Sequence, residues 1–236
     1  MEVREMSFAE RMTEKVELGA ERAALVKQSY LMLSLAVIAA MFGGWAGSTM
    51  PFFLNLFSGW TGWIVAMLLL NFLPAMAMRT AHNPTTGLLS LLGFGFVAGL
   101  VLGPMIYVVA FILEQPELLF SAGVITAAVF GAVTFYVFTS GKSYSAPRGM
   151  MVGMFIGLAG AVPVNIVLGS SLLGFLISLG IGVFGVVSLF YSTSDLLHNR
   201  NITSPITGAV MLFSGVFMIF QAVLRILMAF AGGSRN

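Results

Sequence analysis

Seven stretches of about 20 apolar residues, each closed off by charges, prolines or glycines, dictate what this 236-residue chain can become. A hydrocarbon core about 30 Å thick is crossed by about 20 helical residues rising 1.5 Å each. The stretches fall at 28–48, 57–78, 86–113, 118–139, 149–168, 172–193 and 205–231. Lipid offers no hydrogen-bond partner to a peptide group, so each stretch must satisfy its own backbone as a helix. The alternating segments of a membrane barrel are absent. The expected fold is an all-α membrane protein, a bundle of seven transmembrane helices.

Composition agrees: 58% of residues are hydrophobic and 8% charged, far from the roughly 25% charged content of soluble domains. Six of the nine acidic residues (Glu2, Glu5, Glu10, Glu14, Glu17 and Glu21) crowd into the first 21 positions. The remainder of the chain is almost free of carboxylates. The chain therefore divides into a charged leader (1–27), a membrane domain (28–231) and a short tail (232–236). The leader is too charged for a cleaved signal peptide and is expected to stay on the protein. Phe8, Met12 and Val16 repeat at i, i+4 among charges, the pattern of an amphipathic helix on the inner membrane surface or on a partner. A solvated tail is the alternative.

Lysine and arginine collect on the cytoplasmic side of membrane proteins. With the N-terminus inside, Arg4, Arg11, Lys15, Arg22, Lys27, Arg79, Lys142, Arg148 and Arg200, nine of the eleven basic residues, fall on that side. The C-terminus is then outside, and the outer connections near Pro51, Pro116 and Gly169 carry no basic residue. The connections leave no room for a further soluble domain.

Glycines recur at helical spacing in "GLLSLLGFGFVAGLVLG" (Gly87, Gly93, Gly95, Gly99, Gly103) and "GFLISLGIGVFG" (Gly174, Gly180, Gly182, Gly185). Such stripes let helix backbones approach closely; a permeation path is the other reading. Pro74, Pro104 and Pro163 fall inside spans and are expected to kink them.

The chain has no cysteine and two histidines, which excludes thiol chemistry and the usual zinc constellations. No span holds a lysine, histidine or carboxylate that could activate a serine, so catalysis is not expected, and no cofactor or nucleic-acid partner is implied. The polar residues inside spans are Asn71, Asn165 and Gln221, read as interhelical hydrogen-bonding groups, with ion ligands as the alternative. Arg225 is read as snorkelling to the outer interface, with a buried functional arginine as the alternative.

Five segments in order, "LVKQSYLMLSLAV", "RTAHNPTTGLLS", "GLVLGPM", "TAAVFGAVTFYVFTSGKSYSAPRGMM" and "LFYSTSDLLH", resemble the Bax inhibitor-1 family, in particular its bacterial YccA-like branch. The resemblance covers nearly all of the membrane portion. It implies a seven-helix bundle with the last helix near its centre, in a bacterial inner membrane. It further implies one of two functions, modulation of a membrane-bound AAA protease or a calcium or cation leak gated by a pH-sensitive acidic pair. At the positions matching that pair this chain carries Ser192 and Gly215, so the gated-leak mechanism does not transfer.

Asp195 and His198, at the inner end of the sixth span, share one helical face at i, i+3. A histidine there can titrate near neutrality, which makes the pair the candidate for a pH response, with a structural helix end as the other reading. The leading expectation is a non-enzymatic modulator of a membrane partner or of membrane homeostasis. The alternative is a calcium or cation leak through neutral ligands.

Overall fold

A computed structural model describes residues 8–144, 148–199 and 202–233, and each apolar stretch is helical. The elements are α1 (Phe8–Thr49), a short α2 (Pro51–Leu56), α3 (Gly59–Thr80), α4 (Pro84–Tyr107) continued by one π turn (Val108–Ile112), α5 (Glu117–Ser140), α6 (Arg148–Leu168), α7 (Ser171–His198) and α8 (Pro205–Gly233). No strand occurs among the described residues. Seven helices are long and apolar enough to cross a membrane. Their alternation sets the start of α1, the α3–α4 turn, the α5–α6 and α7–α8 connections at one end, the leader end. The other connections lie at the far end.

α1 is unbroken from Phe8 through the whole first span. Hydropathy marks where hydrocarbon begins, and helix hydrogen bonding continues past that point into the leader. The side chains of Phe8, Met12 and Val16, and those of Arg148, Arg200 and Arg235, lie outside the described residues.

Local chemistry explains the turns. In "HNPTTG" the Asn83 side chain accepts from the backbone N–H of Thr85 and Thr86, and Pro84 occupies the first helical position, where a missing N–H costs nothing. In "LGSS" Gly169 takes φ +61°, which a glycine adopts without strain, and closes α6 through its N–H to Asn165 O (2.8 Å). Ser170 then caps α7 by accepting from Leu173 N–H (3.2 Å). Downstream of Pro104, α4 widens into its π turn, with Leu113 N–H reaching Val108 O five residues back (2.8 Å).

α8 is the hub, packing on α7, α1, α5, α4 and α3. Its Ala209, Val210, Leu212, Phe213, Ala222 and Leu224 are buried. The closest seam joins α1 to α4, where Gly43, Gly44 and Gly47 face Gly95, Gly99 and Gly103. A Cβ on Gly47 would come within 2.7 Å of Leu100 O, and one on Gly99 within 2.7 Å of the Gly44 nitrogen. The backbones touch, as glycine stripes allow in lipid. Gly93, two residues before Gly95 and so on the opposite side of the helix, has open space around it. On α7, Gly185 packs against Ile219 and Met218 of α8, while Gly182 receives Ala222. α6 is the peripheral helix: none of its described residues is fully buried, and it leans on α7 and lightly on α3.

Candidate functional site

Because α6 stands off, a cavity of about 450 Å³ remains between α3, α4, α6, α7 and α8, from mid-bundle to the far end. All four intramembrane polar residues singled out from the sequence, Asn71, Asn165, Gln221 and Arg225, line it. Ser214, which sequence reasoning passed over, lines it too. On α8, Ser214, Gln221 and Arg225 follow at i, i+7 and i+11, one stripe of a helix. Asn165 comes from the last turn of α6 and reaches across to α7, its Nδ2 lying where a Cβ on Gly174 would meet it at 3.0 Å. The Asn71 amide donates to Met67 O of its own helix (2.7 Å).

Arg225, read from the sequence as snorkelling or as a buried arginine, lines the cavity. It sits eight residues before the end of α8, about 12 Å back along the helix, with Nε buried and without a hydrogen-bond partner. Asn165 Oδ1 is likewise buried and unpartnered. Among the described residues, the cavity lining contains one cation and no carboxylate. A charged side chain at membrane depth costs about 2.5–3.5 kcal/mol by insertion scales. Arg225 therefore sits in this bundle without the acidic partner that usually offsets that cost.

The leader end is built differently. Arg22, half-buried on α1, donates to four carbonyls at the end of α7 and just beyond: Ile202 O (2.8 Å), Asn199 O (2.6 Å), Asp195 O (3.1 Å) and Leu197 O (3.3 Å). A cation suits the carbonyl-rich end of a helix, and the Asp195 carboxylate adds attraction. Ser194 Oγ accepts from Tyr144 N–H (2.7 Å), tying in the α5–α6 connection, and Ser204 Oγ donates to Ala81 O (2.8 Å), tying in the α3–α4 turn. Sequence inspection overlooked Arg22. Its signal was present: Leu25, Val26, Ser29 and Leu33 follow it at i+3, i+4, i+7 and i+11, so it lies on the inward face of α1.

Asp195 and His198 are not brought together as a pair. Asp195 faces Arg22, whereas His198 is exposed and turns its Nδ1 onto Ser194 O (3.0 Å), the backbone one turn back. Ser192 and Gly215 lie in the α7–α8 interface. Ser192 is buried and donates to Met211 O (3.3 Å), and a Cβ on Gly215 would meet the Leu189 nitrogen and Cβ at 3.3 Å. The two helices close over these positions.

Seven apolar helices with the last at their centre, and a polar-lined cavity within, define a polytopic membrane protein. Residues 22–232 match the family described as inhibitor of apoptosis-promoting Bax1. The chain belongs to the Bax inhibitor-1 family. It is 31% identical over 155 residues to the modulator of FtsH protease YccA of Escherichia coli K12, covering 64% of this chain and 68% of that one. An uncharacterized Campylobacter jejuni protein is 24% identical over 214 residues, 90% of this chain and 91% of its own. One from Pseudomonas aeruginosa is 30% identical over 152 residues, 64% and 68% of the two chains. Such relatives and the seven helices mark a multi-pass protein of a bacterial inner membrane.

Proposed function

We propose that this protein is a non-enzymatic modulator of a membrane partner, a membrane-bound AAA protease being the favoured class. It is oriented with its N-terminus in the cytoplasm and its C-terminus outside. The observation that carries the reading is the likeness to a relative named as a modulator of FtsH protease. Two features support it. The leader, richest in carboxylates, is held to the α7–α8 connection through Arg22, so a contact made there bears on the central helices. In addition, a cavity holding one unpaired cation and no carboxylate disfavours passage of calcium, and the acidic-pair positions are Ser192 and Gly215.

The test is deletion of residues 2–21, which spares Arg22. The bundle should insert and fold, while co-purification of the protease from membranes falls. Undiminished recovery removes the leader from the mechanism. Reporters at Asn236 and Lys142 should label opposite faces. Strong calcium flux in proteoliposomes, with a sharp pH transition abolished by Asp195→Asn or His198→Gln, would favour the leak reading instead.

A further inference from the structure

We propose that the far-half cavity is a binding site for an anionic glycerolipid, whose phosphate is held by Arg225 and whose head-group hydroxyl donates to Asn165 Oδ1. Three unmet demands converge there. The Arg225 guanidinium offers five N–H donors and cannot lose its charge, yet no carboxylate among the described residues lines the cavity and its buried Nε has no partner. Asn165 Oδ1 is a buried acceptor without a donor, on the opposite wall. The remaining lining is apolar, including Trp63, Phe155, Ile181 and Phe217.

A phosphate carrying a hydroxylated head group on an acyl chain answers all three at once. Inorganic phosphate would satisfy the guanidinium and leave the apolar wall wet. A neutral alkyl chain would do the reverse. A phosphatidylcholine head brings its own cation beside Arg225 and has no O–H for Asn165. The volume, about 450 Å³, suits a head group with the first part of a chain, within the range of small-molecule sites.

Access fits a lipid as well. α6 is the peripheral wall, held along α7 and lightly against α3, so the α3–α6 seam is the thinnest boundary between cavity and bilayer. A ligand arriving sideways from the membrane need not leave hydrocarbon with its tail. Gln221, one turn before Arg225 on the same stripe, supplies an amide to the same head group.

The experiment uses the full chain with Trp45→Phe and Trp60→Phe, leaving Trp63 on the cavity wall as the sole tryptophan, excited apart from the tyrosines. It is reconstituted in phosphatidylcholine vesicles doped with either brominated-acyl phosphatidylglycerol or brominated-acyl phosphatidylcholine. Phosphatidylglycerol should quench saturably at about tenfold lower mole fraction, the scale of one charge-assisted contact. Arg225→Gln should abolish this preference and still fold, because it removes a buried charge. Arg225→Lys should keep part of it. Gln221→Glu sets a carboxylate one turn from Arg225 and should abolish the preference while raising the thermal midpoint. Equal quenching by the two lipids, or a preference unchanged in Arg225→Gln, would overturn the proposal. So would displacement by soluble glycerol phosphate, which would make the occupant a free anion.

Discussion

Helices α1 and α6 start from the same sequence signal and end in opposite surroundings. Both are apolar enough to span, and both carry glycines four residues apart, Gly43 with Gly47 and Gly153 with Gly157. In α1 the glycines are clasped against the backbone of α4. In α6 they have nothing within 4 Å. The difference lies in the partner. α4 presents Gly95, Gly99 and Gly103 in register with α1, so small meets small. α7 presents Gly174 and Gly180 to α6, and these are filled by the Asn165 and Leu158 side chains instead. α6 thus docks by its side chains and leaves its own glycines outward, which props the bundle open on that side. A glycine pair marks a face that can approach closely; only a matching face makes it do so.

The comparison can be broken most forcefully at Gly99. Gly99→Leu drives a Cβ into the α1 backbone, 2.7 Å from the Gly44 nitrogen, and should cost about 3 kcal/mol, the upper range for overpacking, read as a lowered denaturation midpoint in mild detergent. Gly93→Leu, six residues earlier with open space around it, should change stability by less than about 0.5 kcal/mol. Similar losses at both sites would mean that the α1–α4 seam is not what holds the bundle. A smaller effect, about 2 kcal/mol, is expected for Arg22→Ala, which strips four carbonyls at the leader end. Arg22→Lys should recover only part, since an ammonium cannot reproduce the guanidinium fork. Full recovery by lysine would reduce the contact to simple charge. Smallest, Gly157→Ala on α6 should leave the midpoint unchanged or raise it by up to about 1 kcal/mol through helix propensity. A loss instead would reveal a surface packed on α6.

The seven spans were legible because twenty-residue apolar runs bounded by charge have one physical solution in a bilayer, and their bounds match the helices to within a few residues at most ends. The leader was legible as an amphipathic helix beside the alternative of a solvated tail, but its unbroken run into the first span was not, because hydropathy does not mark where a helix begins. Nor was the π turn inside the third span, a local widening downstream of Pro104 with no hydropathy signature. Asn71, Asn165, Gln221 and Arg225 were legible as the polar residues of the membrane interior, but their convergence was not. Convergence depends on how α6 is set off from α3, a matter of side-chain fit between helices that no single-helix period encodes. Arg22 was hidden by its neighbours: in a leader with eleven charged residues, one more arginine reads as solvent-facing unless its helical face is traced into the first span.

The unbroken α1 sets a length scale. Its 42 residues make a rod about 63 Å long, roughly twice the hydrocarbon thickness. About 30 Å of helix therefore extends beyond the apolar run, with Arg22 near the membrane end of that extension. That residue is also where the extension is tied to the α7–α8 connection. The leader helix thus has the length to carry a contact made well beyond the apolar run back to the core of the bundle.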